Sequence, residues 1–168
     1  MSKLLAVRGA QRVMMAEFVF NYNDWATDSV SGSKLTFGST AALADPSSVV
    51  SGLTAGTGIV LDIIPMPLGA VIVGGEAIVE TAFVGIGAGA TLSVGKAGST
   101  TALINALDLD AAAAGARTAL TMTAPLLCND GSNIRLTTSG LTATATAGKV
   151  RIRVQYTIDG KLDDVLGA

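Results

Sequence analysis

Residues 142–160, TATATAGKVRIRVQYTIDG, alternate between polar and apolar side chains almost without a break. Val150, Ile152, Val154, Tyr156 and Ile158 fall on one side of an extended chain, and Lys149, Arg151, Arg153, Gln155 and Thr157 on the other. A helix would scatter both sets around its surface, whereas a strand with one buried face keeps them apart. A slip of one residue would bury the arginines, so the same pattern fixes the register. The three cations stand about 6.6 Å apart along the strand, close enough to need acids or solvent between them. Glu76 and Glu80 share a face if residues 76–83 are extended. They are the expected partners of Lys149, Arg151 and Arg153, within one subunit or across an oligomer contact.

The rest of the chain agrees with a sheet protein. Of 168 residues, 49% are apolar but only 4% are aromatic and 14% charged, so the bulk is Ala, Val, Ile, Leu, Gly and Thr. The length suits one domain. Mean hydropathy is +0.55, and so few charges poorly cover a free surface, which predicts that part of it is buried against other chains. The most apolar region, residues 59–75, is interrupted by Asp62, Pro65 and Pro67. No run reaches the roughly 18 residues of a spanning helix, and aromatics are too few for a barrel's girdles, so no membrane partner is expected. The apolar run at the N-terminus stops at Arg8, too short for a signal peptide. A lone Cys128 agrees with assembly in a reducing cytoplasm.

Residues 1–15 carry Lys3, Arg8 and Arg12, no acid and no clean period; they read as an N-terminal arm. A single β domain follows over residues 16–160, with a C-terminal tail at 161–168. Its first strand is expected at 17–22 (EFVFNY), and residues 23–58 read as a long loop or weak strands holding Trp25, a loop plug or an interface anchor. Residues 70–83 form a β-branched run broken at Gly74 and Gly75, as two strands or one bent by a bulge. Gly85, Gly87 and Gly89 lead to a short strand at 91–95. DLDAAAAG, residues 108–115, is the one helix signal and about one turn long. NDGSN at 129–133, between apolar runs, reads as a hairpin turn, and a strand is expected at 141–145. The sum is an all-β domain of about eight to ten short strands with one very short helix. A β-sandwich or jelly roll is the expected architecture, with an up-and-down barrel as competitor.

Catalytic chemistry lacks its usual carriers. The chain has no histidine, hence neither the commonest general base nor a partner to activate Cys128. Carboxylate pairs such as Glu76 with Glu80 have same-face spacing, but one Trp offers little of the platform a glycosidase cleft uses. GIGAG at 85–89 and GKA at 95–97 lack the spacing of nucleotide loops, and NDGSN and DLD do not fit a calcium loop. No enzyme, cofactor or metal is expected. A net charge of −2 and a pI near 4.9 argue against nucleic acid as partner.

PLGAVIVGGEAIVETAF at residues 67–83, TLSVG at 91–95 and TATAGKVRIRVQYTIDG at 144–160 together resemble the small head decoration, or cement, proteins of tailed bacteriophages. Pro67, Gly69, Thr81, Phe83, Gly95, Gly148 and Tyr156 hold the matching places, and the likeness covers roughly residues 62–160. It implies a jelly-roll-like domain, assembled as an oligomer at junctions between major capsid proteins on the outer shell of the virion. A trimer suits three-fold positions better than a dimer. Contacts to the capsid or to other copies are then expected from Lys3, Arg8, Arg12, Trp25, Glu76, Glu80, Lys149, Arg151 and Arg153. A tail or fibre subunit and a carbohydrate-binding jelly roll are the alternatives.

Overall fold

In a computed structural model the chain is described at residues 12–27, 34–36, 59–122, 126–128 and 132–158. Eleven strands run through these segments: β1 Met14–Asn21, β2 Trp25–Thr27, β3 Lys34–Thr36, β4 Val60–Ile64, β5 Ala70–Val84, β6 Thr91–Lys96, β7 Ser99–Asp108, β8 Arg117–Ala119, β9 Leu126–Cys128, β10 Ile134–Ser139 and β11 Ala147–Ile158. They build two main antiparallel sheets, one of order β1-β11-β5-β8 with β9 also on β5, the other β4-β10-β6-β7. β2 and β3 pair separately. From β4 onward five of the seven connections pass from one sheet to the other, and the expected β-sandwich of jelly-roll type is what forms. The barrel is set aside because the strands divide into separate sheets.

The alternation in β11 explains the packing. Val150, Ile152 and Val154 are fully buried and meet Leu92, Val94, Ile134 and Leu136 of the other sheet in one core. Tyr156 continues the inner face and packs on the core's rim. β1 lies on β11 with Ala16 opposite Val154, Phe18 opposite Ile152 and Phe20 opposite Val150, so its alternate residues extend the same layer.

β5 needs two irregularities to keep its apolar residues inward. Gln155 faces Gly74 but Tyr156 faces Ile72, which leaves Val73 as an extra residue. This bulge switches the buried set from Ala70 and Ile72 to Ala77 and Val79. Gly75 follows at φ 145°, where a Cβ would stand 2.1 Å from the Arg153 carbonyl oxygen. Further along, β5 has two more residues between Val79 and Val84 than β11 has between Ala147 and Val150. Parity is kept, Phe83 turns inward, and its ring lies against Gly148, where a Cβ would be 2.3 Å from Phe83 Cδ1. Two places of the phage-like pattern are thus in direct contact.

Several expectations are corrected. β1 begins at Met14, inside the segment read as an arm. Asp108 ends β7 and residues 109–115 form turns and not a helix: Asp108 Oδ1 accepts from the Asp110 and Ala111 amides, and Gly115 N donates to Val79 O. A one-turn helix cannot offset its nucleation cost, and the side-chain turn and docking on β5 take its backbone groups instead. The hairpin across 129–133 is not made, since β9 pairs with β5 and β10 with β4 and β6. Residues 141–145 make no strand, although Leu141 and Ala145 are buried as plugs. The hairpin that does form joins β6 to β7 through Lys96–Ser99.

Candidate functional site

The outer face of the five-stranded sheet carries the charges. β11 presents Lys149, Arg151 and Arg153, β5 presents Glu76 and Glu80, β1 adds Glu17 and β8 adds Arg117. Arg153 stands directly opposite Glu17 on one side and Glu76 on the other. Glu80 comes level with Lys149 and Arg151 because it lies where β5 bulges outward against β11.

These seven side chains alternate in sign along one line. Lys149 Nζ is 2.8 Å from Glu80, whose other oxygen accepts from Arg151 Nε. Arg151 Nη1 donates to Glu17 Oε1, and Arg153 Nε donates to Glu17 Oε2 at 2.8 Å. Arg153 Nη1 lies 3.5 Å from Glu76, and Arg117 Nη1 bonds both Glu76 oxygens at 3.0 and 2.9 Å. Four cations and three carboxylates make a ribbon across four strands, with a cation at each end.

Hydrogen bonds set the ionisation of its middle members. Glu17 is held below the usual glutamate range by Arg151 and then Arg153, and Glu80 by Lys149 and then Arg151. Arg151 is pushed up by Glu17 and then Glu80. A carboxylate with a depressed folded pKa contributes stability that is complete above its unfolded value near 4.5. That contribution disappears as the pH falls through the folded value. The urea midpoint is therefore expected to hold near neutrality and drop between about pH 5 and 3. Glu17→Gln combined with Glu80→Gln should flatten the drop; an unchanged slope would refute the assignment.

The expected pairing of Glu76 and Glu80 with the strand's cations is present inside the subunit, while Glu17, the carboxylate shared by two arginines, was not foreseen. Because Arg151 and Glu80 each hold a second partner, exchanging them cannot be neutral. Arg151→Glu with Glu80→Arg restores one contact but sets a carboxylate beside Glu17 and a guanidinium beside Lys149. The double variant is expected to remain less stable than the natural protein in denaturant titration.

Of the other expected contact residues, Arg12 is exposed just before β1, and Trp25 lies in β2 with its backbone opposite Thr36. Lys3 and Arg8, the tail at 161–168 and the side chain of Trp25 lie outside the described residues. Cys128 is fully buried at the end of β9. Among the described residues no group of three or more His, Cys, Asp or Glu side chains is placed to hold a metal ion, and no helix is long and apolar enough to cross a membrane.

No protein-family model and no curated protein matches this chain. A solved structure does. The chain is similar to one from the cyanophage Pam1 capsid asymmetric unit. The superposition has a TM-score of 0.60 and covers 92% of each chain at 20% sequence identity. At that identity the likeness is one of fold. It extends over nearly the whole of both chains.

Proposed function

We propose that this chain is a viral structural protein and not an enzyme. Its role is that of a capsid decoration or cement protein, bound to the outside of the major capsid protein shell at junctions between capsomers. The observation that carries the reading is the end-to-end likeness to a chain of a phage capsid asymmetric unit. The sequence pattern of strand ends and turns at residues 62–160 points the same way independently. Physical chemistry supports it further: the core is closed by many short strands, and the sheet's outer face is braced by ion pairs. Large apolar side chains such as Met15 and Leu68 remain exposed, as on a protein that covers its surface with neighbours. In this reading the protein is made in the host cytoplasm, works on the virion without cofactor, nucleic acid or membrane, and assembles with itself, as a trimer before a dimer. The N-terminal arm with Lys3, Arg8 and Arg12 supplies part of the capsid contact.

The test is incubation of the purified protein with bare shells of the phage that encodes it. Saturable binding at many copies per head, with shells that then resist heat or swelling better, is the expected result. A strict monomer by light scattering that ignores the shells would overturn the proposal. Density along the tail alone, or capture by a glycan array, would reassign the chain to a fibre or a carbohydrate-binding module.

A further inference from the structure

The ribbon on the outer sheet face ends on a cation with donors to spare. Arg117 gives Nη1 to Glu76, and its side chain is 61% exposed. Among the described residues neither its Nε nor its Nη2 has an acceptor, and Arg153 Nη2 has none either. Both guanidiniums border a depression of about 380 Å³. Met15, Gly75, Glu76, Ala119 and Gln155 complete its lining. The concavity follows from the bulge, because Gly74 and Gly75 place no side chains where the strand bends. Beyond it the same face turns apolar: Met15 is 61% exposed, Val73 44% and Leu127 38%. Register sets these together, since Met15 of β1, Gln155 of β11 and Gly74 of β5 lie abreast and Leu127 of β9 pairs with Val71 of β5.

A surplus of guanidinium donors around a small hollow selects an anion, and the apolar rim selects one carried on a protein chain. Six of the seven acids among the described residues are already engaged within the subunit. Glu17, Glu76 and Glu80 are in the ribbon, Asp62 is on Arg135, Asp24 is on Asn21 and Asp108 is in its own turn. Among the described residues a second copy offers Asp110 alone as an unengaged carboxylate, and the capsid reading supplies the shell protein as the donor. We propose that this depression receives an Asp or Glu side chain of the shell protein, which completes the ribbon by bridging Arg117 and Arg153 while its apolar neighbours cover Met15, Val73 and Leu127. The inference rests on the capsid reading above and gives that reading a contact point.

The experiment compares shell binding by the natural protein, Arg117→Glu, Arg117→Gln and Lys149→Glu. Arg117→Glu and Lys149→Glu make the same change in charge at opposite ends of one ribbon, so a general electrostatic effect would weaken both alike. The expected result is at least about a tenfold loss for Arg117→Glu, a smaller loss for Arg117→Gln, and no more than about threefold for Lys149→Glu. Added salt should weaken the natural protein and leave Arg117→Gln less affected. Arg117 is largely exposed, and thermal melts of the variants confirm that what binds or fails to bind is folded. Equal binding by Arg117→Glu and the natural protein, or equal losses at both ends, overturns the inference while leaving the capsid reading intact. A change in oligomer mass on light scattering for Arg117→Glu would assign the hollow to a second copy and overturn it also. A natural protein that does not bind shells overturns both.

Discussion

Replacing Gly75 with alanine is expected to cost about 3 kcal/mol or more and to leave little folded protein. Two costs act together. The residue holds φ at 145°, a conformation that a Cβ disfavours, and the new methyl group would stand 2.1 Å from the Arg153 carbonyl and 2.6 Å from Leu120 Cδ1. The leucine can turn aside. The carbonyl belongs to the neighbouring strand and can move only if β5 and β11 part, and those two strands form the centre of the five-stranded sheet. Gly74→Ala is the matched control, because its Cβ would meet only the flexible end of Gln155 at 3.1 Å, with no unfavourable φ. Urea titration should find the control within about 1 kcal/mol of the natural protein. If Gly75→Ala unfolds at the same midpoint as the control, the bulge does not have the rigidity described.

The second large effect is expected at Phe83 and Gly148, and it is expected not to add. Phe83→Ala removes a ring that is 4% exposed and should cost about 3 to 5 kcal/mol. Gly148→Ala alone forces a methyl group into that ring at a φ of 147° and should cost about 2 kcal/mol or more. Once the ring is gone the methyl has space, so the glycine substitution should cost clearly less in the Phe83→Ala background. The strain of the positive φ is what then remains. A double-mutant cycle in denaturant measures the difference. Strict additivity would mean that ring and glycine do not constrain one another.

The sequence discloses this fold where burial is one-sided. β11 was legible residue by residue because a strand with one wet and one dry face allows a single register, and the bend of β5 was legible from two adjacent glycines. Partners distant along the chain were not. Glu17 reads as the first residue of an apolar strand, and only the pairing of β1 with β11 brings it between Arg151 and Arg153. β7 went unforeseen because STTALINALD has no strict alternation, and its register with β6 is broken twice. Four alanines suggest a helix by propensity, yet the backbone of that segment is claimed by Asp108 and by β5. Asp-Gly suggested a hairpin, but no local feature tells a turn that folds back from a connection that crosses to the opposite sheet. Of the site, five of the seven members, Lys149, Arg151, Arg153, Glu76 and Glu80, were readable, with their pairing open between one subunit and an oligomer contact. The hollow beneath Arg117 was not readable, because it is made by side chains that glycines lack.

Met14 lies opposite Tyr156, so the first long strand enters the five-stranded sheet at the end where the last one leaves it. A pull applied there on both strands would part β1 from β11 like a zipper, loading one backbone rung at a time instead of all together. The first charged rung it meets is Glu17, gripped by both arginines. Mechanically the ribbon is a latch set just inside the weak end of a seam, where a stretched assembly would otherwise begin to tear.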